Sequence, residues 1–421
     1  MVNRPGILRI ALASALAIAV PMRAQETANS DKETVQALLQ QVKDLQARVA
    51  KLEGEQSKAV PAANVVQTTQ EPGPETKLEP ETPAERSSEM DRMDPSKTLL
   101  KIRGFGDVTF HGDSQHGDTT SFTLGQLDLF VTSDVSEKFR FLGEIVFEAD
   151  QHNSYGVDIE RLLMQYAPKD YLNISVGRYH TAIGYYNTAY HHSTWLQTTT
   201  GRPFLFEFED KGGILPIHNE GISATGLIPS GSLGLHYIAE VGNGRASNSW
   251  GSGTAEAVQN VVDENNHKAV NLGFYFRPQK FQGLQAGLSV YHDLLTPLNS
   301  SPISENIVAG HVVYIRPSFE WLNEAMVIRH AIHNGRTFNT PGGYTQISKR
   351  FGSYRPYLRY QYLNVANTEP VFSYVGLMHG PSVGLRYDAS ESVAFKIQYD
   401  HTAERNKDAI NGLAAQLGFT F

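Results

Sequence analysis

The chain has 421 residues, a formal net charge of −8 and no cysteine. An acidic chain lacks the clustered basic surface that phosphate backbones require, so its charge argues against a nucleic-acid partner. The absence of cysteine excludes a disulfide framework and a lipoprotein, and beyond the N-terminal region no run approaches the roughly eighteen apolar residues of a membrane-spanning helix.

Residues 1–24 have the pattern of a secretory signal peptide. Arg4 and Arg9 precede an uninterrupted run of Ala, Leu, Ile, Val and one Ser over residues 10–20. This run is too short to span a bilayer, and cleavage is plausible after Ala24. The segment holds three arginines and no acid, so its removal takes the net charge to −11. The alternative is an N-terminal membrane anchor. The pattern predicts an exported protein.

Residues 25–53 are predicted to form a coiled-coil oligomerisation segment. Valine takes the first apolar position of each of three heptads and leucine the second. Dimers and trimers are both compatible with this pattern, and a single amphipathic helix docked on another surface is the alternative. The core positions are Val35, Leu38, Val42, Leu45, Val49 and Leu52.

Residues 54–97 are predicted to be a disordered linker. Six prolines stand among Glu, Gln, Ser and Thr, and this composition cannot bury enough apolar surface to fold. The linker would hold the coiled coil at a distance from the rest of the chain.

Residues 98–421 alternate apolar and polar side chains in about sixteen segments, which is the period of β-strands. Short turns alternate with longer links, the latter including residues 333–343 and 402–412, and this asymmetry is typical of outer-membrane barrels. The fold predicted for residues 98–421 is therefore all-β, a transmembrane antiparallel β-barrel of about sixteen strands surrounded by outer-membrane lipid. With an even number of strands, the first strand begins and the last strand ends on the same side of the membrane. That side is predicted to be the periplasm of a Gram-negative bacterium, where the N-terminal segment would also lie.

The last strand ends on an aromatic residue. Phe419 and Phe421 share its apolar face with three smaller residues, whereas Gln416 and Thr420 lie on the other face. A C-terminal aromatic is a familiar feature of bacterial outer-membrane proteins. Phe419 and Phe421 are therefore candidate recognition signals for the barrel assembly machinery.

Charged residues within the strands are predicted to face a water-filled lumen, because the opposite faces are apolar. The later strands are the more basic, which predicts a mild preference for anions. The alternative is that these charges pair with one another and only keep the wall wet. The predicted pore-lining residues are Asp128, Arg140, Glu144, Glu148, Arg161, Arg350, Arg359, Arg386 and Lys396.

The link over residues 180–216 is long and rich in aromatic side chains that require burial. We expect it to fold into the barrel and narrow the pore, and a packed extracellular cap is the alternative. Its candidate constriction residues are His191, His192, Trp195, Arg202, Glu207, Glu209 and Asp210.

No catalytic, cofactor or metal site is predicted. The histidines of the long link lack ligand spacing. The segment from Gly221 to Gly226 lacks the spacing of a nucleophile elbow and lies within a strand. An enzyme is not expected.

The order of signal, coiled coil, linker and barrel resembles coiled-coil-bearing outer-membrane porins of the phosphate-selective porin O/P-like superfamily. The most specific local likeness spans residues 172–184, where an alternating strand leads into Gly-x-aromatic and a short segment ending in Gly184, with Ala182 where proline is usual. The resemblance implies a trimeric, sixteen-stranded channel with an infolded third loop. It does not extend to phosphate selectivity, since this loop offers only Arg202 and Lys211 among several acids.

The sequence therefore predicts a passive diffusion channel for small hydrophilic solutes in the bacterial outer membrane. Two alternatives remain open. The barrel could be a structural anchor that tethers the cell wall or a periplasmic partner through the coiled coil. It could also be the sheath of a trans-envelope complex.

Overall fold

The computed structural model describes residues 100–115, 119–149, 154–190, 194–247, 262–298 and 300–421. The predicted signal peptide, coiled coil and linker lie outside the described residues. Among the residues that are described, no helix combines the length and apolar character needed to cross a bilayer.

Sixteen antiparallel strands form a closed barrel in which each strand pairs with its neighbours in sequence and the first pairs with the last. The sixteen strands predicted from the alternation are confirmed. The strands are β1 Leu100–Asp113, β2 Ser121–Asp134, β3 Phe139–Ala149, β4 Tyr155–Lys169, β5 Leu172–His180, β6 His218–Ile228, β7 Leu235–Gly242, β8 Ala269–Phe276, β9 Leu284–Leu295, β10 Ile303–Arg316, β11 Phe319–Ile332, β12 Thr337–Lys349, β13 Tyr354–Asn364, β14 Leu377–Asp388, β15 Val393–Glu404 and β16 Ile410–Thr420.

The only α-helical turn of the described residues is α1, Tyr186–Ala189, between β5 and β6. Four short 3-10 turns accompany it. They are Phe204–Phe206, Glu209–Lys211, Gly231–Leu233 and Gln279–Phe281.

Side chains alternate between the two faces of the barrel wall. On β15, Phe395, Ile397 and Tyr399 point outward and are each about half exposed. Lys396 and Gln398 point inward and are buried. An apolar outside and a polar inside are the reverse of a soluble β-sandwich and suit a wall that faces lipid.

The connections differ in length at the two ends of the barrel, which we name the short-turn end and the long-loop end. Both the start of β1 and the end of β16 lie at the short-turn end. Several long-loop connections are shorter than expected, most of all the two that span 333–336 and 405–409 rather than 333–343 and 402–412.

Pro341 explains the first of these differences. Proline and the two glycines that follow it resemble a turn, but Pro341 pairs with Val327 of β11 within β12. Pairing between β12 and β13 begins only at Gly342. Pro341 therefore has a ladder neighbour on one side alone, which is the edge-like position where sheets tolerate proline.

The closing seam brings the C-terminal phenylalanines onto two glycines. Backbone hydrogen bonds join Gly104 N to Phe421 O at 2.9 Å and Phe421 N to Gly104 O at 3.0 Å. A Cβ atom placed on Gly104 would lie 2.2 Å from the Phe421 ring, and one on Gly106 would lie 2.7 Å from the Phe419 ring. The rings therefore occupy the surface that the glycines leave bare.

We predict that Phe421→Ala lowers the free energy of unfolding by about 1 kcal/mol, because the ring loses its seat on β1. Gly104→Ala should have a similar effect, and the double variant should be no worse than either single variant, since each removes the same contact. Urea titration of the folded band in unboiled gels measures this. Gly310→Ala is the control, because its Cβ would meet neighbours only at 3.7 Å or more. Additive effects of the two substitutions would contradict the contact.

Candidate functional site

The connection between β5 and β6 lies inside the barrel, and we call residues 181–217 the lumenal loop. Its two ends are joined where Thr181 N donates to Ile217 O at 2.9 Å. The buried Asn187 amide donates to the same two residues, to Thr181 O at 2.8 Å and to Ile217 O at 3.1 Å. The loop thus has a closed base at the wall. The loop therefore folds into the barrel, as expected from its aromatic content, and does not form an extracellular cap.

Carboxylates on the wall bind the first part of the lumenal loop through its backbone N–H groups. Glu240 of β7 accepts from Ala182 N at 3.0 Å. Glu324 of β11 accepts from Tyr185 N at 2.5 Å and from Tyr186 N at 2.9 Å. Both carboxylates are buried, so these charge-assisted hydrogen bonds are stronger than exposed ones.

Basic side chains of β13 to β15 bind the next part of the lumenal loop through its backbone carbonyls. We call Arg359 of β13, Arg386 of β14 and Lys396 of β15 the basic strip. Each of them donates to carbonyl oxygens between residues 194 and 201. The contacts are Arg359 Nη2 with Gly201 O at 2.7 Å, Arg386 Nη1 with Trp195 O at 2.6 Å and Gln197 O at 2.8 Å, and Lys396 Nζ with Thr199 O at 2.9 Å and with Thr194 O.

The remainder of the lumenal loop packs an apolar core against the inner faces of β9 to β13. Phe206 is fully buried and stacks on Tyr186 with 5.5 Å between the ring centroids. The core residues of the loop are Ile183, Tyr186, Leu205, Phe206, Phe208, Ile214, Leu215 and Ile217, and those of the wall include Tyr291, Ile307, Val313, Leu322, Met326, Tyr344 and Leu363.

The predicted wall charges of the early strands lie mostly in pairs. Glu144 is buried and pairs with Arg161, and Glu148 lies 3.7 Å from Lys211 of the lumenal loop. Asp128 is buried as well. Arg140 is mainly exposed and bonds to Asp134 at 2.8 Å near the short-turn end. Whether these residues set ion preference stays a prediction.

Arg350 requires a correction. It was predicted within a strand, but β12 ends at Lys349 and Arg350 lies beyond it at the rim of the short-turn end. There it pairs with Asp388, which also binds Arg386 at 2.6 Å. The turn after β12 takes Arg350 out of the alternating pattern.

The residues that were predicted to form the constriction do not lie together in one cluster. His191 and His192 lie outside the described residues, as does the side chain of Asp210. Trp195 lies between two guanidinium groups, with ring distances of 5.9 Å to both Arg103 and Arg386.

Two of the remaining constriction residues stabilise the loop itself. Arg202 is buried, donates to Phe206 O and lies 4.0 Å from the centroid of the Phe208 ring. Glu209 accepts from Ile217 N at 2.7 Å at the return of the loop to β6. Glu207 instead lies beside a cavity of about 330 Å³.

Burial changes the ionisation of several loop groups. Burial raises the pKa of Tyr185 to about 12, so its hydroxyl stays a neutral donor at physiological pH. Burial also raises the pKa of the Glu209 carboxyl, but the adjacent His218 and backbone donors outweigh it and leave that pKa below its ordinary value. Glu209 therefore stays ionised against its partners.

A second cluster, at the long-loop end, was missed from the sequence. Arg245 and Glu305 are fully buried and lie 3.3 Å apart, and Arg245 also donates to Ile214 O of the lumenal loop at 2.7 Å. His330 lies between Glu305 at 2.7 Å and Glu369 at 2.5 Å, so each ring nitrogen faces a carboxylate and only the doubly protonated ring satisfies both. The cluster joins three loops to β10 and β11. The alternation along β10 and β11 could have identified Glu305 and His330 as inward-facing residues, but it carries no information about their partners in the loops.

Two cavities remain between the lumenal loop and the inner wall of β6 to β10. One has a volume of about 340 Å³ and reaches Ser223 and Glu240. The other has about 430 Å³ and reaches the turn between β8 and β9 at the short-turn end. Tyr185, Arg277 and Gln285 line both cavities.

No group of three His, Cys, Asp or Glu side chains in the described part of the chain could hold a metal ion. Arg277, Gln285 and Glu240, which line the remaining space, were not among the candidate residues. Glu240 and Gln285 follow from the same alternation that revealed Glu144. Arg277 lies just beyond β8 and has no such signal.

No family model matches the chain, and no curated protein matches it. Solved structures do. An anion-selective porin from Comamonas acidovorans superimposes with a TM-score of 0.55 at 12% identity, covering 77% of this chain and 100% of that one. The outer-membrane channel DcaP of Acinetobacter baumannii gives 0.52 at 10% identity, covering 77% and 98%. OmpT, an outer-membrane protein of Vibrio cholerae in a trimer form, gives 0.51 at 10% identity, covering 77% and 99%. At such identities the likeness shows the fold, a sixteen-stranded barrel of the porin type.

We predict that Lys396→Met loosens the lumenal loop. Two carbonyls lose a charged donor, which should lower the free energy of unfolding by about 1.5–3 kcal/mol and speed amide exchange across residues 194–203. Hydrogen exchange measured by mass spectrometry checks this. Lys101→Met is the control, since Lys101 is exposed and pairs only with the exposed Asp134. Equal exchange in both variants would contradict the role given to Lys396.

Proposed function

We propose that the protein is a passive diffusion channel of the bacterial outer membrane that carries small hydrophilic solutes. The observation that supports it most is the pair of cavities beside the lumenal loop, which share lining residues and reach the short-turn end. A loop held inside a barrel narrows the lumen without replacing it. No catalysis and no cofactor is needed for this function.

The outward face supports the membrane location. Exposed apolar side chains cover the outside on all sides of the barrel, for example Leu162 on β4, Leu272 on β8 and Leu358 on β13. A soluble protein would not expose such a surface. We place the long-loop end outside the cell, and the short-turn end and the N-terminal segment in the periplasm.

We further propose a homotrimer and a mild preference for anions. The trimer form of the Vibrio cholerae protein is consistent with three copies. The basic strip supports the preference for anions, because hydrogen bonds to neutral groups leave the charges of Arg359 and Lys396 uncancelled, whereas Arg386 pairs with Asp388. The Phe419 and Phe421 rings remain the proposed signal for the assembly machinery.

Planar-bilayer recording tests the channel. The purified protein should give a steady open current, and a variant with a Gly-Ser linker in place of residues 185–206 should conduct several-fold more because the constriction is gone. A reversal potential in a salt gradient should show anion preference.

A variant without residues 25–97 is the control and should conduct as the full chain does. Absence of any current from the folded protein would contradict the channel and favour the anchor or the sheath. A cation preference would contradict the anion preference alone.

A further inference from the structure

The two cavities beside the lumenal loop meet at one place, which we call the neck and define by Tyr185, Arg277 and Gln285. A solute that passes from one cavity to the other must pass these three side chains. Tyr185 belongs to the lumenal loop, whereas Arg277 and Gln285 belong to the turn after β8 and to β9. The neck is therefore a boundary between the loop and the wall.

Arg277 has a fixed orientation in the neck. Its Nε donates to Gln285 Oε1 at 2.7 Å, and its guanidinium carbon lies 5.0 Å from the centroid of the Tyr275 ring. Tyr275 in turn stacks on His236 with 4.7 Å between ring centroids. Side chains on two sides thus hold the guanidinium plane before any solute arrives.

The same guanidinium has no carboxylate partner among the described residues. Its bond to Gln285 uses Nε and leaves the two terminal nitrogens, which form the planar edge that pairs with a carboxylate. Arg277 is exposed to solvent, whereas the buried and half-buried arginines of the lumen mostly bind acids or loop carbonyls. Arg277 is available to a solute.

The rest of the neck carries no charge. Gln285 Oε1 accepts from Arg277, so its amide nitrogen, 3.0 Å from His311 Nε2, donates to that ring. His311 Nε2 is then an acceptor, and the ring is neutral. Tyr185, whose ring lies 5.8 Å from His311, keeps its hydroxyl proton.

An acid lies in the cavity on the far side of the neck from the short-turn end. Glu240 lines that cavity, although its oxygens are engaged by Ala182 N, Asn271 and Ser223. A site with one fixed cation and a buried acid in the same cavity therefore suits a solute with one negative charge better than a solute with two. The aromatic rings of Tyr185 and Tyr275 line the same cavity as the guanidinium and offer apolar surface there.

We propose that the neck is a selectivity site for small monocarboxylates, whose carboxylate pairs with the terminal nitrogens of Arg277 while the attached apolar group contacts Tyr185 and Tyr275. The site rests on the proposed channel function and names the solute class for it. A doubly charged phosphate lacks a second cation here and should pass less well.

The test uses the full chain in planar bilayers with sodium benzoate, sodium propionate, sodium phosphate and sodium chloride. For the natural protein, we expect the two carboxylates to be more permeant than phosphate. Arg277→Gln should reduce the benzoate-to-phosphate permeability ratio at least about fivefold, because it removes a charge-assisted hydrogen bond. Arg316→Gln is the matched control, since Arg316 lies at the same end of the barrel but bonds to Gln282 outside the neck.

Arg277→Lys separates charge from shape. It keeps the cation but loses the planar fork, so the ratio should fall for benzoate while chloride preference stays. It also carries the test if Arg277→Gln fails to fold. An unchanged ratio in a folded Arg277 variant would overturn the neck site while leaving the channel intact. Absence of current in every salt from the natural protein would overturn the channel itself.

Discussion

The backbone of the lumenal loop requires hydrogen-bond partners inside a barrel that has no strand left to offer them. Every strand of the wall already pairs with two neighbours, so the N–H and C=O groups that the loop does not pair within itself must bind side chains. Glu240 and Glu324 accept from its N–H groups near the start of the loop, and the basic strip donates to its carbonyls farther along. The charges that look like a selectivity filter in the sequence have this structural task first.

The division of charge across the barrel follows from that task. A stretch that presents N–H groups needs acceptors, and a stretch that presents carbonyls needs donors. The lumenal loop presents N–H groups near residue 182 and carbonyl groups from 194 to 201. Acidic side chains of β7 and β11 therefore bind the first stretch, and basic side chains of β13 to β15 bind the second. Because the loop lies against β9 to β16, the space that remains lies along β6 to β10, and Arg277 lines that space.

The sequence predicted the barrel well and the loop contacts poorly, for physical reasons. Strand positions repeat with period two, so the inward position of Lys396 could be read from its neighbours. Its partner Thr194 lies 202 residues away, and no local pattern joins the two. The start of β12 was misjudged because Pro341 and its glycines are typical of turns, although the strand pairs on one side alone at Pro341 and so tolerates a proline there. Arg277 had no signal, since it lies just past the end of an alternating strand.

A cysteine cross-link tests most directly that the lumenal loop is held against the basic wall while solutes pass on the other side. The chain has no native cysteine, so a pair introduced as Thr194→Cys and Gly418→Cys can bond only with itself. A Cβ atom on Gly418 would lie 3.8 Å from Thr194 Oγ1, which is close to disulfide reach. The account predicts that the bond forms on mild oxidation and that single-channel current is the same before and after reduction. Thiols that stay free, or a current that rises sharply when the bond is reduced, would contradict it.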